Sequence, residues 1–160
     1  MLSNDQFRDA MSALPMAVSV VTTTMDGDPF GATIGSVTSA SMRPPLVSFN
    51  VRRTSRLRGA LQAAPRFAVN VLDGDQTDVS DRFSGPGDRF EGVSFEWSAA
   101  GVPLLGGAVL QIECRRVGVY PAGDHVIVLG AVVQAERAPD RTPLLYSGRT
   151  YFRLDVAGVR

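Results

Sequence analysis

Lysine is missing from this 160-residue chain; all 16 of its basic side chains are arginine. That absence removes Schiff-base catalysis, a pyridoxal-phosphate anchor and the lysine of a phosphate-binding P-loop. Histidine and cysteine occur once each, as His125 and Cys114. A zinc centre built from several His or Cys ligands is excluded, and so is an internal disulfide; no metal site is expected. A Cys–His nucleophilic pair is formally available. Cys114, however, falls in line with Ala108, Leu110 and Ile112 at period two, the pattern of a strand's buried face, so it reads as a structural cysteine. Sixteen acidic residues offset the arginines to a formal net charge of zero, which leaves no basic footprint for nucleic acid. No apolar run approaches the roughly 18 residues of a membrane span, and the start, Met1 to Phe7, has neither the charged nor the apolar region of a signal peptide. The expectation is a cytoplasmic protein with no membrane or nucleic-acid partner and little acid–base or nucleophilic machinery of its own; no catalytic side chain is assigned.

What is present is a chain long enough for one domain over residues 1–160, with 44% hydrophobic residues. Its most informative stretch is Gly31-Ala-Thr-Ile-Gly-Ser-Val-Thr-Ser-Ala-Ser-Met-Arg-Pro-Pro45. Five hydroxyl side chains (Thr33, Ser36, Thr38, Ser39, Ser41) sit among small residues, and an apolar strand follows at once. Small residues let a flat ligand approach the backbone, while hydroxyls and free N–H groups can grip polar edges. The same composition also suits a surface strand and turn.

Ser3 and Gln6 have capping-box spacing, and Phe7, Ala10, Met11 and Leu14 follow at helical spacing up to Pro15. Val18 to Thr24, a turn at Asp26-Gly-Asp-Pro29 and Phe30 to Ile34 predict a hairpin. Val47, Phe49 and Val51 alternate with Ser48 and Asn50. Thr54 or Ser55 caps a short helix with Leu57, Ala60, Leu61 and Ala64 inward. Phe67, Val69 and Val71 predict a strand, Asp75 to Phe83 a second short helix, and Val93, Phe95 and Trp97 another strand. The longest strand runs from Ala108 to Tyr120, and Pro121 to His125 turns it back into Val126 to Ala135. Leu144 to Leu154 forms a last extended piece. Seven or eight strands at short spacing with two or three short helices predict a mostly β, antiparallel barrel or sandwich. No Gly-x-Gly-x-x-Gly follows a strand, which argues against a dinucleotide-binding parallel sheet.

The segment Gly31 to Pro45, the run Phe67-Ala-Val-Asn-Val-Leu72, the triplet Asp88-Arg-Phe90, the turn Gly123-Asp-His125 and the tail Pro143-Leu-Leu-Tyr146 stand in one order. Together they resemble the short-chain flavin reductases, the reductase components of two-component flavin monooxygenases. The resemblance spans about Phe7 to Leu154. It implies a split β-barrel of the FMN-binding type with two or three short peripheral helices, assembled as a homodimer with flavin near the interface. It also implies hydride transfer from NADH or NADPH to FMN or FAD, and supply of reduced flavin to a partner monooxygenase by diffusion. Residue by residue, it implies that Thr33, Ile34, Gly35 and Ser36 lie along the flavin, that Asn50 and Val51 contact its other side, and that Ser55 and Arg56 meet the phosphate at a helix start. It places His125, Arg149 and Tyr151 near the nicotinamide nucleotide. Gly35 stands where Asn or Ser is frequent, and Met42-Arg43 replaces the more usual Leu-Asp before the prolines.

Plainer readings stand beside these. Arg52, Arg53, Arg56 and Arg58 also suit a solvated helix face, His125 an ordinary turn, Tyr146, Tyr151 and Phe152 simple packing, and Asp88-Arg89 a loop ion pair. Phe83 and Phe90 suit either a cover over flavin or core. A flavin-binding electron-transfer protein on the same fold is the alternative function.

Overall fold

A computed structural model describes residues 1–154. Among them are three helices and twelve strands. The helices are α1 (Asn4–Ser12), α2 (Arg56–Ala63) and α3 (Thr77–Ser84). The strands run β1 (Met16–Ala17), β2 (Ser19–Met25), β3 (Asp28–Ile34), β4 (Thr38–Met42), β5 (Pro45–Arg52), β6 (Arg66–Val71), β7 (Phe95–Trp97), β8 (Pro103–Leu105), β9 (Leu110–Ala122), β10 (His125–Arg137), β11 (Leu144–Ser147) and β12 (Thr150–Arg153).

Seven strands form one sheet in the order β3-β2-β6-β9-β10-β5-β4. Its two edge strands, β3 and β4, are consecutive in the chain and joined by Gly35-Ser36-Val37 alone. So short a link between opposite edges requires the sheet to curl back on itself. The barrel closes at this seam through side chains rather than a ladder. The Ser36 hydroxyl accepts a hydrogen bond from the Asn50 N–H of β5 at 2.9 Å. This is the antiparallel split barrel that the patterning and the resemblance predict.

The barrel interior holds one apolar cluster. Val47, Phe49 and Val51 of β5, Phe67 and Val69 of β6, Ile112 and Cys114 of β9, and Val126 and Val128 of β10 meet Leu57 and Leu61 of α2 there. Alternation along β5 puts every second side chain inside, as the sequence predicts. Ser55 caps α2 by accepting from the Leu57 N–H, which starts the helix where its Leu57–Ala60–Leu61 face plugs the barrel. A second cluster, Val18, Val20, Leu72, Phe83, Phe90, Leu105 and Leu144, lies outside β2 and β6 under α3. Those two strands are thus buried on both faces. Among the polar side chains buried in these two strands, Asn70 donates to the Val20 carbonyl and the Thr22 hydroxyl and accepts from the Leu105 N–H.

Two expectations change. The tail is a hairpin rather than one extended piece, because Gly148 and Arg149 adopt φ of 54° and 64° and reverse the chain between β11 and β12. Among the described residues the strand count rises to twelve because the tail divides and β1, β4 and β8 are added; β1 and β8 are two- and three-residue strands too short to show periodicity, and β4 lies inside the hydroxyl-rich stretch. Helix α1 has its capping box, yet its apolar stripe has no cover among the described residues: Phe7, Met11 and Leu14 are 56%, 43% and 52% exposed.

Candidate functional site

The seam opens into a cleft of about 880 Å³. One wall is the end of β3 and the crossover: Thr33, Ile34, Gly35 and Ser36. The facing wall is the end of β5, with Asn50 and Val51, continued by Ser55 at the start of α2. His125 and Ile127 of β10 come alongside because β10 pairs with β5 in a register that sets His125 against Arg52 and Ile127 against Asn50. Phe83, Ser84 and Arg89 close one end, and Arg52 lies beside His125.

The hydroxyls of the crossover are engaged with the protein's own backbone. Thr33 donates to the Ser80 carbonyl of α3 at 2.8 Å, and Ser36 accepts from Asn50. Their work is to hold the wall, so the cleft receives chiefly its main chain. Gly35 is packed by Met16: a Cβ there would lie 3.2 Å from the Met16 methyl carbon. A flat, polar-edged ring fits such a wall, since nothing projects to keep it from the backbone.

Charge is placed at both ends. Arg89 donates through Nη1 to the Gly31 carbonyl at 2.7 Å and through Nε to the Gly85 carbonyl at 3.0 Å. Burial first, then the nearby charge of Arg56, lower its pKa from the ordinary arginine value. The Asp88–Arg89 ion pair of the plainer reading is absent among the described residues; Asp88 instead accepts from the Phe90 N–H, closing its own turn. At the other end, His125 Nδ1 lies 2.8 Å from an Asp124 carboxylate oxygen. That hydrogen bond, followed by the charge of His125, holds the Asp124 carboxyl below the usual carboxylate range.

Residues 11–155 match the flavin reductase like domain. The chain belongs to that family. Among its flavin reductase relatives, the flavin reductase (NADH) of Kitasatospora aureofaciens is 43% identical over 161 residues, covering 98% of this chain and 84% of that protein. The FMN reductase (NADH) SmoA of Agrobacterium fabrum is 38% identical, covering 92% and 84%. The solved structure of the Streptomyces globisporus NADH:FAD oxidoreductase SgcE6, in complex with NAD and FAD fragments, superposes with a TM-score of 0.91 at 36% identity, covering 95% of this chain and 93% of that one.

Of the residues singled out in the flavin reductase pattern, Thr33, Ile34, Gly35, Ser36, Asn50, Val51, Ser55 and His125 share this cleft. Arg56 opens onto a neighbouring one. Arg149 is exposed at the β11–β12 turn. Tyr151 lies on β12, where its hydroxyl donates to Asp81 at 2.8 Å and meets Ser80 Oγ at 2.9 Å. It therefore touches the cleft only through α3 and Thr33. Sequence reasoning missed Met16 and gave Arg89 no place in the site. Met16 carries no local signal; it reaches Gly35 because β2 pairs with β3 in a register that sets Ser19, three residues on, against Ile34. Arg89 had one, since it stands inside the Asp88-Arg-Phe90 triplet.

Proposed function

We propose that the seam cleft is where a flavin and a reduced nicotinamide nucleotide meet. The chain is an NAD(P)H-dependent flavin reductase that uses FMN or FAD. The observation that supports this placement is the small-residue crossover wall, held flat by Thr33, Ser36 and Met16, with arginine at one end and His125 at the other. Bound flavin supplies the two-electron acceptor for a hydride from the nicotinamide. The chain's own groups then bind and orient. Main-chain N–H and carbonyl groups between Thr33 and Ser36 meet the ring's polar edges, and Asn50 and Val51 limit its far side. Ser55, at the N-terminus of α2, and the Arg89–Arg56 pair hold the phosphate. His125, fixed by Asp124, borders the nicotinamide side. Stacking of the two rings within about 3–3.5 Å needs no side-chain acid or nucleophile, in keeping with a chain of one His, one buried Cys and no Lys.

The test is turnover. Purified protein with NADH or NADPH and excess free FMN or FAD oxidises many equivalents of nicotinamide per chain; oxidation limited to one equivalent would overturn the reductase in favour of an electron-transfer flavoprotein. Ser36→Tyr fills the cleft and abolishes flavin binding in a folded protein. His125→Ala raises the KM for nicotinamide more than that for flavin; equal losses refute its placement. Arg149 and Tyr151 keep a proposed nicotinamide-side role, Tyr151 through its bond to α3.

The exposed α1 stripe, together with Tyr120, Ile127 and Val133 on the outer face of β9 and β10, supports a homodimer. Ile127 also borders the cleft, so a second copy on this face would close the cleft's open side. Light scattering reads a dimer, and Phe7→Asp with Met11→Asp shifts it to monomer. No helix among the described residues is long and apolar enough to cross a membrane. We place the protein in the cytoplasm, where NAD(P)H is available, with reduced flavin passing to a monooxygenase by diffusion. Monooxygenase activity across a dialysis membrane tests that transfer.

A further inference from the structure

A second cleft, of about 820 Å³, adjoins the first, and Arg89 lines both. Its size falls within the roughly 300–1,000 Å³ typical of small-molecule sites. At the junction, Arg56 and Arg89 both stand over the Phe30 ring, at 5.3 and 5.9 Å from its centroid. Neither forms an ion pair among the described residues. Two neighbouring guanidinium groups without an ion-pair partner repel each other, and a phosphate between them offsets that repulsion while accepting several of their N–H groups.

The rest of the cleft lining differs in character from the cation pair. Pro29 and Pro86 join Phe30 as flat apolar surface, and Asp26, Asp28 and Asp88 also line the cleft. Ionised carboxylates only accept hydrogen bonds. They suit ribose hydroxyls and an exocyclic amine, and they repel a further phosphate. The lining thus combines a cation pair, flat apolar surface and acceptor carboxylates.

We infer that the second cleft holds the adenosine monophosphate half of FAD. The pyrophosphate lies at the Arg56–Arg89 junction, and the chain binds FAD in preference to FMN. This rests on placing the flavin ring in the first cleft. The nicotinamide nucleotide's own adenosine is the competing occupant, but the second cleft opens from the Arg89 end, away from His125.

Calorimetric titration of the ligand-free protein with riboflavin, FMN and FAD tests the assignment. FAD is expected to bind about tenfold tighter than FMN or more. Pro86→Trp, which fills the second cleft, brings the ratio to about one. Adenosine 5′-monophosphate, titrated alone into the wild type, competes with FAD and leaves riboflavin bound. Equal affinity for FMN and FAD in the wild type overturns the inference while leaving the first cleft's assignment intact. A ratio that Pro86→Trp leaves unchanged overturns it as well. Competition of the monophosphate with NADH but not with FAD gives the cleft to the nicotinamide nucleotide, again against the inference. Binding of none of the three flavins overturns this and the reading of the first cleft together.

Discussion

The two walls of the seam cleft are built by different forces. The β5 wall stands on burial: Val47, Phe49 and Val51 are 7%, 1% and 2% exposed, and β5 is hydrogen-bonded on both sides, to β4 and β10. The crossover wall has little burial of its own; Thr33 through Val37 are all half-buried. It is held by separate pins: Thr33 to Ser80, Asn50 to Ser36, Arg89 to Gly31, and Met16 against Gly35. Burial is collective and unforgiving, whereas each pin is worth little alone. One side of the site is thus a fixed floor, and the other a wall whose position is set by a few adjustable contacts.

That contrast can be broken at graded strength. Phe49→Ala removes the ring that packs edge-on against Phe67 at 5.4 Å and is expected to cost about 3–5 kcal/mol by chemical denaturation. A loss under about 1 kcal/mol would mean that β5 is not the fixed floor. Gly31→Val comes next. A Cβ at Gly31 meets Phe83 at 2.9 Å and the Val21 carbonyl at 3.0 Å, so overpacking of about 1–3 kcal/mol is expected, together with weaker flavin binding as Phe83 shifts into the cleft. Ser36→Ala unpins the crossover and costs about 0.5–1.5 kcal/mol. Its flavin affinity falls by a larger factor than its stability predicts if the wall's position matters to binding. Thr33→Val, the isosteric loss of the bond to Ser80, has a comparable or smaller effect.

A pH slope probes the buried side without a substitution. Burial, then the charge of Glu113, push the Cys114 thiol up to about 12, and burial also raises Tyr151. Above about pH 8.5 the unfolded chain loses the thiol proton that the folded chain keeps. Stability contributed by the neutral thiol is present below that pH and is lost as pH rises toward 12, by at most about 1.4 kcal/mol per pH unit. Without lysine, few other side chains titrate there. Denaturation midpoints between pH 8 and 10.5 read the slope, and Cys114→Ala flattens it.

The floor was legible in the sequence and the wall much less so. Period-two burial names Val47, Phe49 and Val51 directly, and a hydroxyl followed by Leu57, Ala60 and Leu61 names the capped helix that plugs the barrel. Both are local patterns set by backbone geometry. The crossover's small residues marked it as a ligand wall, but its hydroxyls were read as grips for a ligand, and the structure turns two of them to the backbone of α3 and β5. Which acceptor a hydroxyl finds depends on what folds beside it, and Ser80 lies 47 residues from Thr33. Met16 is seated on Gly35 by the register of the β2–β3 hairpin, and in the tail two residues of positive φ turn one apparent strand into a hairpin.

The amino-acid sequence by itself determined the chemistry available to this protein. With no lysine, one histidine and one buried cysteine, it must rely on bound groups for reactivity. It also determined the strand and helix patterning, because alternation and capping act within a few residues. Tertiary structure alone decided that the edges of the sheet meet at Gly35-Ser36-Val37, and that Arg89 and Arg56 share the Phe30 ring between two clefts. Closing a barrel brings together side chains from distant parts of the chain, and no local pattern records which of them will face the opening.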